Sequence, residues 1–177
     1  MGFGESIGSV FRKYATFRGR ARRSEYWYFY LFTVLAGMAA SILDAVAGSA
    51  MGSLETFRNT TGPFSTILNL GLLLPTLAVT VRRLHDTNRS GWLIGGFFLF
   101  IVVAVVAAVG LGVAGVFGET NLTNTANSGP ALIGIVALVL IGFAYGVYIF
   151  VLLVLNGTAG ENRYGGDPKG PNVEVFS

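Results

Sequence analysis

The chain has 177 residues, of which 53% are hydrophobic and 12% are charged, and its mean hydropathy is +0.64. A soluble domain carries roughly 25% charged residues, and one of this length could not bury so much apolar surface. The composition therefore indicates a membrane protein. The chain has no cysteine, which excludes disulfides, thiolate metal sites and a cysteine nucleophile. Its single histidine excludes a metal centre built from several histidines.

Residues 3–17 are predicted to form a short amphipathic helix. The large apolar side chains recur at helical spacing and fall on one face. These residues are Phe3, Ile7, Val10, Phe11, Tyr14 and Phe17. Two interpretations stay open: the helix lies in the cytoplasmic headgroup region, where its basic residues meet anionic lipid, or it docks on the protein's own surface.

Four apolar runs follow, and each is long enough, or nearly so, to cross about 30 Å of hydrocarbon as a helix. The runs are 26–48, 64–81, 92–118 and 131–155. Backbone groups in lipid must be hydrogen-bonded within their own segment, and the runs lack the alternation of barrel strands. We therefore predict an all-α fold, an integral membrane four-helix bundle with a short N-terminal amphipathic helix. Pro75 is expected to kink the second helix and to free a carbonyl that needs another donor.

The basic residues predict the orientation. Six precede the first run, three lie in the loop 82–91 and two in the final tail, whereas the loop 49–63 holds only Arg58 and the loop 119–130 holds none. Because lysine and arginine stay on the cytoplasmic side, both termini and the loop 82–91 are predicted to be cytoplasmic. The predicted organisation is a cytoplasmic segment 1–25, a four-span domain 26–155 and a cytoplasmic tail 156–177.

Three polar segments on this predicted cytoplasmic side form a candidate collar, which either binds an anionic ligand or holds the protein together. Arginines dominate the first two segments, while the third brings complementary acids and turn-forming glycines. If the segments share one role, Glu25 should lie near an arginine of another segment, and His85 should be a buried, hydrogen-bonded residue. The candidate residues are Arg18, Arg20, Arg22, Arg23, Glu25, Trp27, Arg82, Arg83, His85, Asp86, Arg89, Trp92, Glu161, Asn162, Arg163, Tyr164 and Asp167.

Asp44 is the only acid inside an apolar run, and Asn69 of the second run is a candidate partner at similar depth. An acidic residue within a membrane helix suggests a functional site unless another role explains it. We favour the other interpretation, that Asp44 lies near the outer interface, where headgroups or water reach it. Gly142 and Gly146 have the four-residue spacing that lets helices pack closely. We expect this packing within the chain in the first place and between copies in the second.

The three polar segments resemble those of a bacterial inner-membrane family called domain of unknown function eight hundred and five. The resemblance spans essentially the whole chain, in order. It departs at Leu93, where the family often has tryptophan, and at Gly166, where proline is common. It implies a small integral inner-membrane protein and brings no catalytic residue or cofactor. The residues that carry it are Phe17, Gly19-Arg20-Ala21, Arg23, Glu25-Tyr26-Trp27, Arg82-Arg83-Leu84-His85-Asp86, Ser90-Gly91-Trp92, Gly160, Asn162-Arg163-Tyr164-Gly165 and Asp167-Pro168.

These observations predict a non-enzymatic inner-membrane protein without cofactor or metal, whose basic collar binds anionic lipid or a partner protein. A small oligomeric transporter or channel subunit is the alternative, suggested by Asp44, Asn69 and Pro75. An enzyme that uses His85 and Asp86 is the weakest hypothesis, because no nucleophile or metal ligand set accompanies them. Membrane lipid is the expected partner, together with a second copy or another membrane protein. Nucleic acid is not expected, since the topology explains the basic pI of about 9.4.

Overall fold

The computed structural model describes residues 1–50, 62–117 and 125–169, with side chains described in these ranges except at 111–117 and 125–132. Five helices lie within these ranges: α1 Phe3–Arg12, α2 Arg23–Ala50, α3 Pro63–Asp86, α4 Trp92–Phe117 and α5 Thr125–Val154. Four segments are long and apolar enough to cross a membrane: Arg23–Ala50, Pro63–Asp86, Trp92–Gly110 and Ile133–Val154. No strand occurs in the described ranges, where β pairing is limited to one isolated bridge. The all-α fold with four membrane helices and a short N-terminal helix is confirmed.

Three helix boundaries differ from the sequence prediction. α3 continues to Asp86, so the segment that begins at Arg82 is helical and the turn starts only at Thr87. Buried ion pairs, described below, allow this charged last turn to stay packed. α5 already begins at Thr125, before the apolar run that starts at 131. α1 ends at Arg12, before the predicted limit of 17. The loop predicted at 49–63 falls mostly outside the described residues, and the second half of the loop predicted at 119–130 is instead the start of α5.

The chain forms two compact units. The first comprises Met1–Arg89 and the segment that begins at Asn156, and the second is Ser90–Leu155. In the first unit α1 packs against α2, and α2 packs along α3. Val10, Ala21, Phe29 and Val79 form the apolar core of this unit. The division by membrane position into 1–25, 26–155 and 156–177 stays a prediction.

α1 docks on the protein through an unexpected face. Its buried residues are Ser6, Ser9 and Val10, while Phe3 and Phe11 remain partly exposed. The Ser9 hydroxyl donates a hydrogen bond of 3.1 Å to the Glu25 carboxylate, and small side chains allow the two helices to approach closely. The interpretation of docking on the protein surface is therefore confirmed, and Phe3 and Phe11 contact rings of α2 at the edge of the docked face while part of each stays exposed.

Asp44 caps the N-terminus of α3. Its two carboxylate oxygens accept hydrogen bonds of 2.9 Å from the backbone N–H groups of Phe64 and Ser65. These N–H groups have no partner within their own helix, and the positive end of the helix dipole favours an anion there. Asn69, the partner proposed from the sequence, is exposed and is not bonded to Asp44 among the described residues. That pairing was wrong, because the unpaired backbone donors of α3 compete for the carboxylate.

The carbonyl that Pro75 frees also has a partner from another element. α3 continues through Pro75, whose missing N–H leaves the Gly71 carbonyl, four residues earlier, without its helical donor. The Tyr14 hydroxyl donates a hydrogen bond to that carbonyl. The segment after α1 thus satisfies the one backbone group that the proline exposes.

In the second unit, glycines on α5 make room for aromatic rings of α4. An added Cβ at Gly142 would lie 2.8 Å from the Phe100 ring, and Gly146 faces Phe97 at 3.9 Å. The Tyr145 hydroxyl donates a 3.0 Å hydrogen bond to the Leu93 carbonyl. The predicted close packing at Gly142 and Gly146 is confirmed within the chain.

Replacement of Gly62 by alanine tests the Asp44 cap. A Cβ at Gly62 would lie 2.1 Å from the Asp44 carboxyl carbon, so we expect Gly62→Ala to displace the carboxylate and to lower the Tm in detergent by several degrees. In an Asp44→Gly background both the carboxylate and the Asp44 Cβ, which would lie 2.5 Å from the added Cβ, are absent, and the same substitution should cost little. Gly37→Ala, with open space around its Cβ, is the matched control and should leave the Tm unchanged or slightly higher. Additive effects of Gly62→Ala and Asp44→Gly would contradict the cap.

Candidate functional site

Five charged side chains are buried together where α2 begins and α3 ends, and we call them the charge cluster. Arg20 precedes α2, Glu25 lies in the first turn of α2, and the other members lie in the last two turns of α3. None exposes more than 7% of its surface. The members are Arg20, Glu25, Arg82, Arg83 and Asp86.

Asp86 is bonded to two arginines. Its Oδ1 accepts a hydrogen bond of 2.9 Å from Nε of Arg20 and lies 2.9 Å from Nη2 of the same guanidinium, so the two side chains form a close ion pair. Its Oδ2 accepts from Nη1 of Arg83, which lies one turn earlier on α3. The Asp86 carboxylate thus attaches the segment that contains Arg20, 66 residues earlier in the chain, to the end of α3.

Glu25 forms the second half of the cluster. Its Oε1 accepts a hydrogen bond of 3.0 Å from Nη1 of Arg82 and the bond from Ser9. This contact is the expected approach of Glu25 to an arginine of the second polar segment. Nε and Nη2 of Arg82 are buried and have no hydrogen-bond partner among the described residues.

The charges of the cluster do not cancel, since three arginines face two carboxylates. Burial of an isolated charge is costly, whereas a buried charge with a close partner and several hydrogen bonds is tolerated. Carbonyl oxygens supply part of the missing negative charge. Arg20 donates to the carbonyls of Thr158 and Gly160, so its guanidinium also binds the segment that follows α5.

Backbone hydrogen bonds position the segment that carries Arg20. The Ala21 N–H donates to the Arg82 carbonyl at 3.0 Å, which joins this segment to α3. Gly19 has a φ of 85°, a conformation that glycine adopts without strain, and it turns the chain toward the cluster. His85 lies beside this turn.

His85 is a packed structural residue. Its Nδ1 lies 3.2 Å from the Gly19 carbonyl, so the neutral ring carries its proton there and donates it. The ring stacks on Tyr164 with 3.8 Å between centroids and an interplanar angle of 6°. The guanidinium of Arg163 lies 4.8 Å from the centre of the Tyr164 ring. His85 is buried and hydrogen-bonded, as the sequence analysis expected.

The C-terminal segment is bound to the end of α3 mainly by its backbone and amide groups. The Asp86 carbonyl accepts from the Thr158 N–H at 2.8 Å, and the His85 carbonyl accepts from Asn162 Nδ2 at 3.0 Å. Arg163 donates to the Asn88 carbonyl at 3.0 Å. This segment therefore follows the α3 terminus over several residues.

Arg22 and Arg23 bind the same segment from the side of α2. Arg22 donates to the Pro168 carbonyl, and Arg23 donates to Asn156 Oδ1 at 2.7 Å. Asp167 accepts hydrogen bonds from the backbone N–H groups of Lys169 and Gly160, at 2.8 and 3.1 Å. These bonds, helped by Arg20 and the Lys169 charge, hold the pKa of Asp167 below its ordinary value against partial desolvation.

The remaining candidate residues lie outside the cluster. Arg18, Arg89 and Glu161 are exposed, and their side chains have no hydrogen bond or ion pair among the described residues. Trp27 packs edge-on against Tyr30 with 5.8 Å between ring centroids. Trp92 begins α4 in the second unit, and 84% of it is exposed.

Sequence reasoning missed two contributors. The first is Ser9, whose hydroxyl donates to buried Glu25; the available signal was that Ser6, Ser9 and Val10 share one side of the helix. Gly157 faces Asp86, and an added Cβ there would lie 2.0 Å from the carboxylate Oδ2. No local pattern distinguishes it from the other glycines of that segment.

A polar cavity of about 100 Å³ lies beside Arg20 and is lined by Asp86, Thr158, Asp167 and Lys169 among others. The two carboxylates in the wall of this cavity would repel an anion. The N–H donors of Arg20 are already bonded to Asp86 and to carbonyl groups. No group of three or more acids or histidines that could hold a metal occurs in the part of the chain that the structure describes. The geometry is that of a clasp between three chain segments.

Removal of the Asp86 carboxylate tests the clasp. Asp86→Ala leaves two buried arginines without their carboxylate, so we expect a loss of about 3–5 kcal/mol in the free energy of unfolding, measured by SDS titration in mixed micelles. Gly157→Ala should act through the same carboxylate and destabilise strongly, whereas Gly166→Ala, with open space at its Cβ, should not. Glu161→Gln is the charge control and should change stability by less than about 0.5 kcal/mol. A small effect of Asp86→Ala would refute the clasp.

The lowered pKa of Asp167 predicts an acid dependence of stability. Because the folded pKa lies below the ordinary value of about 3.9, the stabilisation by this carboxylate is complete above that value and is lost as the pH falls through the folded pKa. The Tm of the wild type should exceed that of Asp167→Asn at about pH 7, and the difference should shrink below about pH 4. A difference that stays constant or grows on acidification would show that the charge of Asp167 plays no such part.

The chain matches the family model described as a protein of unknown function, DUF805, over residues 14–166. It is 30% identical to inner membrane protein YhaI of Escherichia coli K12, with 91% of this chain and 92% of the relative covered. It is 31% identical to inner membrane protein YhaH, over 90% and 93%, and 32% identical to uncharacterized protein YiiR, over 86% and 85%, both of the same strain. No solved structure matches. With four helices that could cross a bilayer, these matches show that the chain belongs to the DUF805 family and is an integral inner-membrane protein.

Proposed function

We propose that this protein is a non-enzymatic inner-membrane protein that binds anionic lipid headgroups through exposed basic residues around the structural clasp. We call these residues the basic rim: Arg12, Lys13, Arg18 and Arg89. The observation that carries the proposal is a division of the basic residues into two environments. The arginines of the charge cluster are buried and bound to carboxylates or carbonyls, whereas the rim side chains are exposed and have no hydrogen bond or ion pair among the described residues.

This division moves the candidate binding site away from the cluster. Arg20 and Arg83 are held by Asp86, and an incoming phosphate would have to compete with that carboxylate at close range. The rim residues keep their full charge available to a headgroup. Each basic residue near an anionic leaflet contributes about 1 kcal/mol of attraction.

The basic residues also support the proposed orientation. All four rim residues belong to the segments that the distribution of lysine and arginine assigns to the cytoplasm, with both termini on that side. The cytoplasmic leaflet carries the negative surface potential that attracts such residues. The rim and the predicted topology thus favour the same face of the membrane.

The contacts of His85 and Asp86 disfavour acid–base catalysis. His85 is stacked on Tyr164 and bonded to Gly19, while both oxygens of Asp86 are occupied by arginines.

The transporter alternative loses its motivation in the same way, because Asp44 caps α3 and the carbonyl freed by the proline of α3 is bonded to a tyrosine hydroxyl. No other observation on the described residues favours transport.

Neutralisation of the basic rim tests the proposal. We expect single changes to glutamine to lower the affinity for phosphatidylglycerol about fivefold each, since about 1 kcal/mol is lost per charge, and the fourfold variant to lose the most. Native mass spectrometry of lipid adducts from detergent measures this affinity. Binding of the wild type should also weaken as salt is raised.

Two controls accompany this experiment. Affinity for phosphatidylcholine should not change, and Arg58→Gln, predicted to face the other side, should bind phosphatidylglycerol as the wild type does. Unchanged phosphatidylglycerol binding by the fourfold variant would contradict the proposal. If that variant instead lost a co-purifying protein, the rim would be a surface for a partner protein.

A further inference from the structure

We infer that α1 inserts an aromatic edge into the acyl-chain region of the leaflet on the side of the charge cluster. This edge is formed by Phe3, Ile7 and Phe11, which recur every four residues along the helix. The inference does not depend on the charge of the lipid headgroups, so it stands apart from the proposed function of the basic rim. Three features of α1 support it.

The first feature is the exposure of the aromatic residues. α1 buries two serines and a valine against the protein, while Phe3 and Phe11 are 41% and 40% exposed. A surface helix in water normally buries its largest apolar side chains and exposes its serines. α1 instead buries serines and exposes phenylalanines, which indicates that an apolar medium covers the phenylalanines.

The second feature is the arrangement of three different faces around the helix. At about 100° per residue, the edge of Phe3, Ile7 and Phe11 is rotated by roughly 100° from the docked face centred on Ser6. Glu5 and Arg12 lie on the side away from both. A helix in the plane of the interface has such faces, one toward protein, one toward acyl chains and one toward water.

The third feature is the position of the edge along α2. Phe3 packs edge-on against Tyr28 at 5.9 Å, and Phe11 packs against Phe29 and Phe32 at 5.8 and 5.9 Å between centroids. At 1.5 Å per residue these partners lie about 3–9 Å beyond the first turn of α2 along the helix. Interfacial helices place their apolar faces about 5–10 Å deep.

The neighbouring surface of α2 identifies the occupant as acyl chains. Leu31 and Leu35, three and seven residues after Tyr28, continue the apolar surface from that contact along the membrane-spanning helix, and both are exposed. The Tyr14 hydroxyl bond to the Gly71 carbonyl of α3 anchors the chain just after α1 to the helix pair. The aromatic edge is therefore continuous with a surface that lipid must cover.

The absence of cysteine from the sequence allows a direct test on the full-length protein. Phe11→Cys, Phe3→Cys and the adjacent control Arg12→Cys are each labelled with a nitroxide and reconstituted in phosphatidylcholine vesicles. Power-saturation electron paramagnetic resonance then compares accessibility to oxygen, which dissolves in lipid, with accessibility to a water-soluble nickel chelate. We expect the ratio of oxygen to nickel accessibility to be severalfold higher at positions 3 and 11 than at position 12.

Several results would overturn the inference. If the labels at positions 3 and 11 are as accessible to the nickel chelate as the label at position 12, the edge lies in water. Labels shielded from both reagents would show that protein covers the edge, and dipolar broadening between labels would identify that protein as a second copy. If Phe11→Cys lowers the Tm markedly, Phe3→Cys decides, because Phe3 lies at the start of α1 and has a single described ring contact. Use of uncharged lipid keeps this result independent of the basic rim.

Discussion

The burial of three guanidinium groups against two carboxylates is the constraint on which the first unit depends. Because the arginines outnumber the acids, one carboxylate, Asp86, must serve both Arg20 and Arg83. The remaining donors of Arg20 take backbone carbonyls of the segment after α5. Arg20 thus helps to fix the course of that segment from about 140 positions earlier in the chain.

The same requirement explains the polar groups farther along the helix pair. In a low-dielectric surrounding, an unpaired backbone or side-chain group costs several kcal/mol, so each needs a partner from another element. Asp44 satisfies the free N–H groups of α3, and Tyr14 satisfies the carbonyl that Pro75 exposes. Polar residues that suggest a transport path in the sequence are therefore explained by the hydrogen bonding of the helices themselves.

Residues of one chemical type have two roles in this protein according to their surroundings. Buried arginines such as Arg82 and Arg83 hold chain segments together and are paired with buried carboxylates. Exposed basic residues such as Arg12 and Arg18 keep their charge, and lipid headgroups are the anions that an inner membrane offers them. The proposed binding surface is consequently the periphery of the cluster, while the cluster provides the rigid support.

Apolar runs of about 20 residues and the order of motifs are local properties of a chain. The sequence alone therefore assigns the class, the four membrane helices and the polar segments of the clasp. Pairing is not local, and only folding brings Asp44 to the N-terminus of α3 rather than to Asn69, and Ser9 to Glu25. Hydropathy likewise predicts a loop at the charged end of α3, since it cannot reveal that Asp86 meets buried arginines. The sequence left open whether α1 lies in the headgroup region or docks on the protein, because whether a side chain faces protein, lipid or water depends on neighbours that lie far away along the chain.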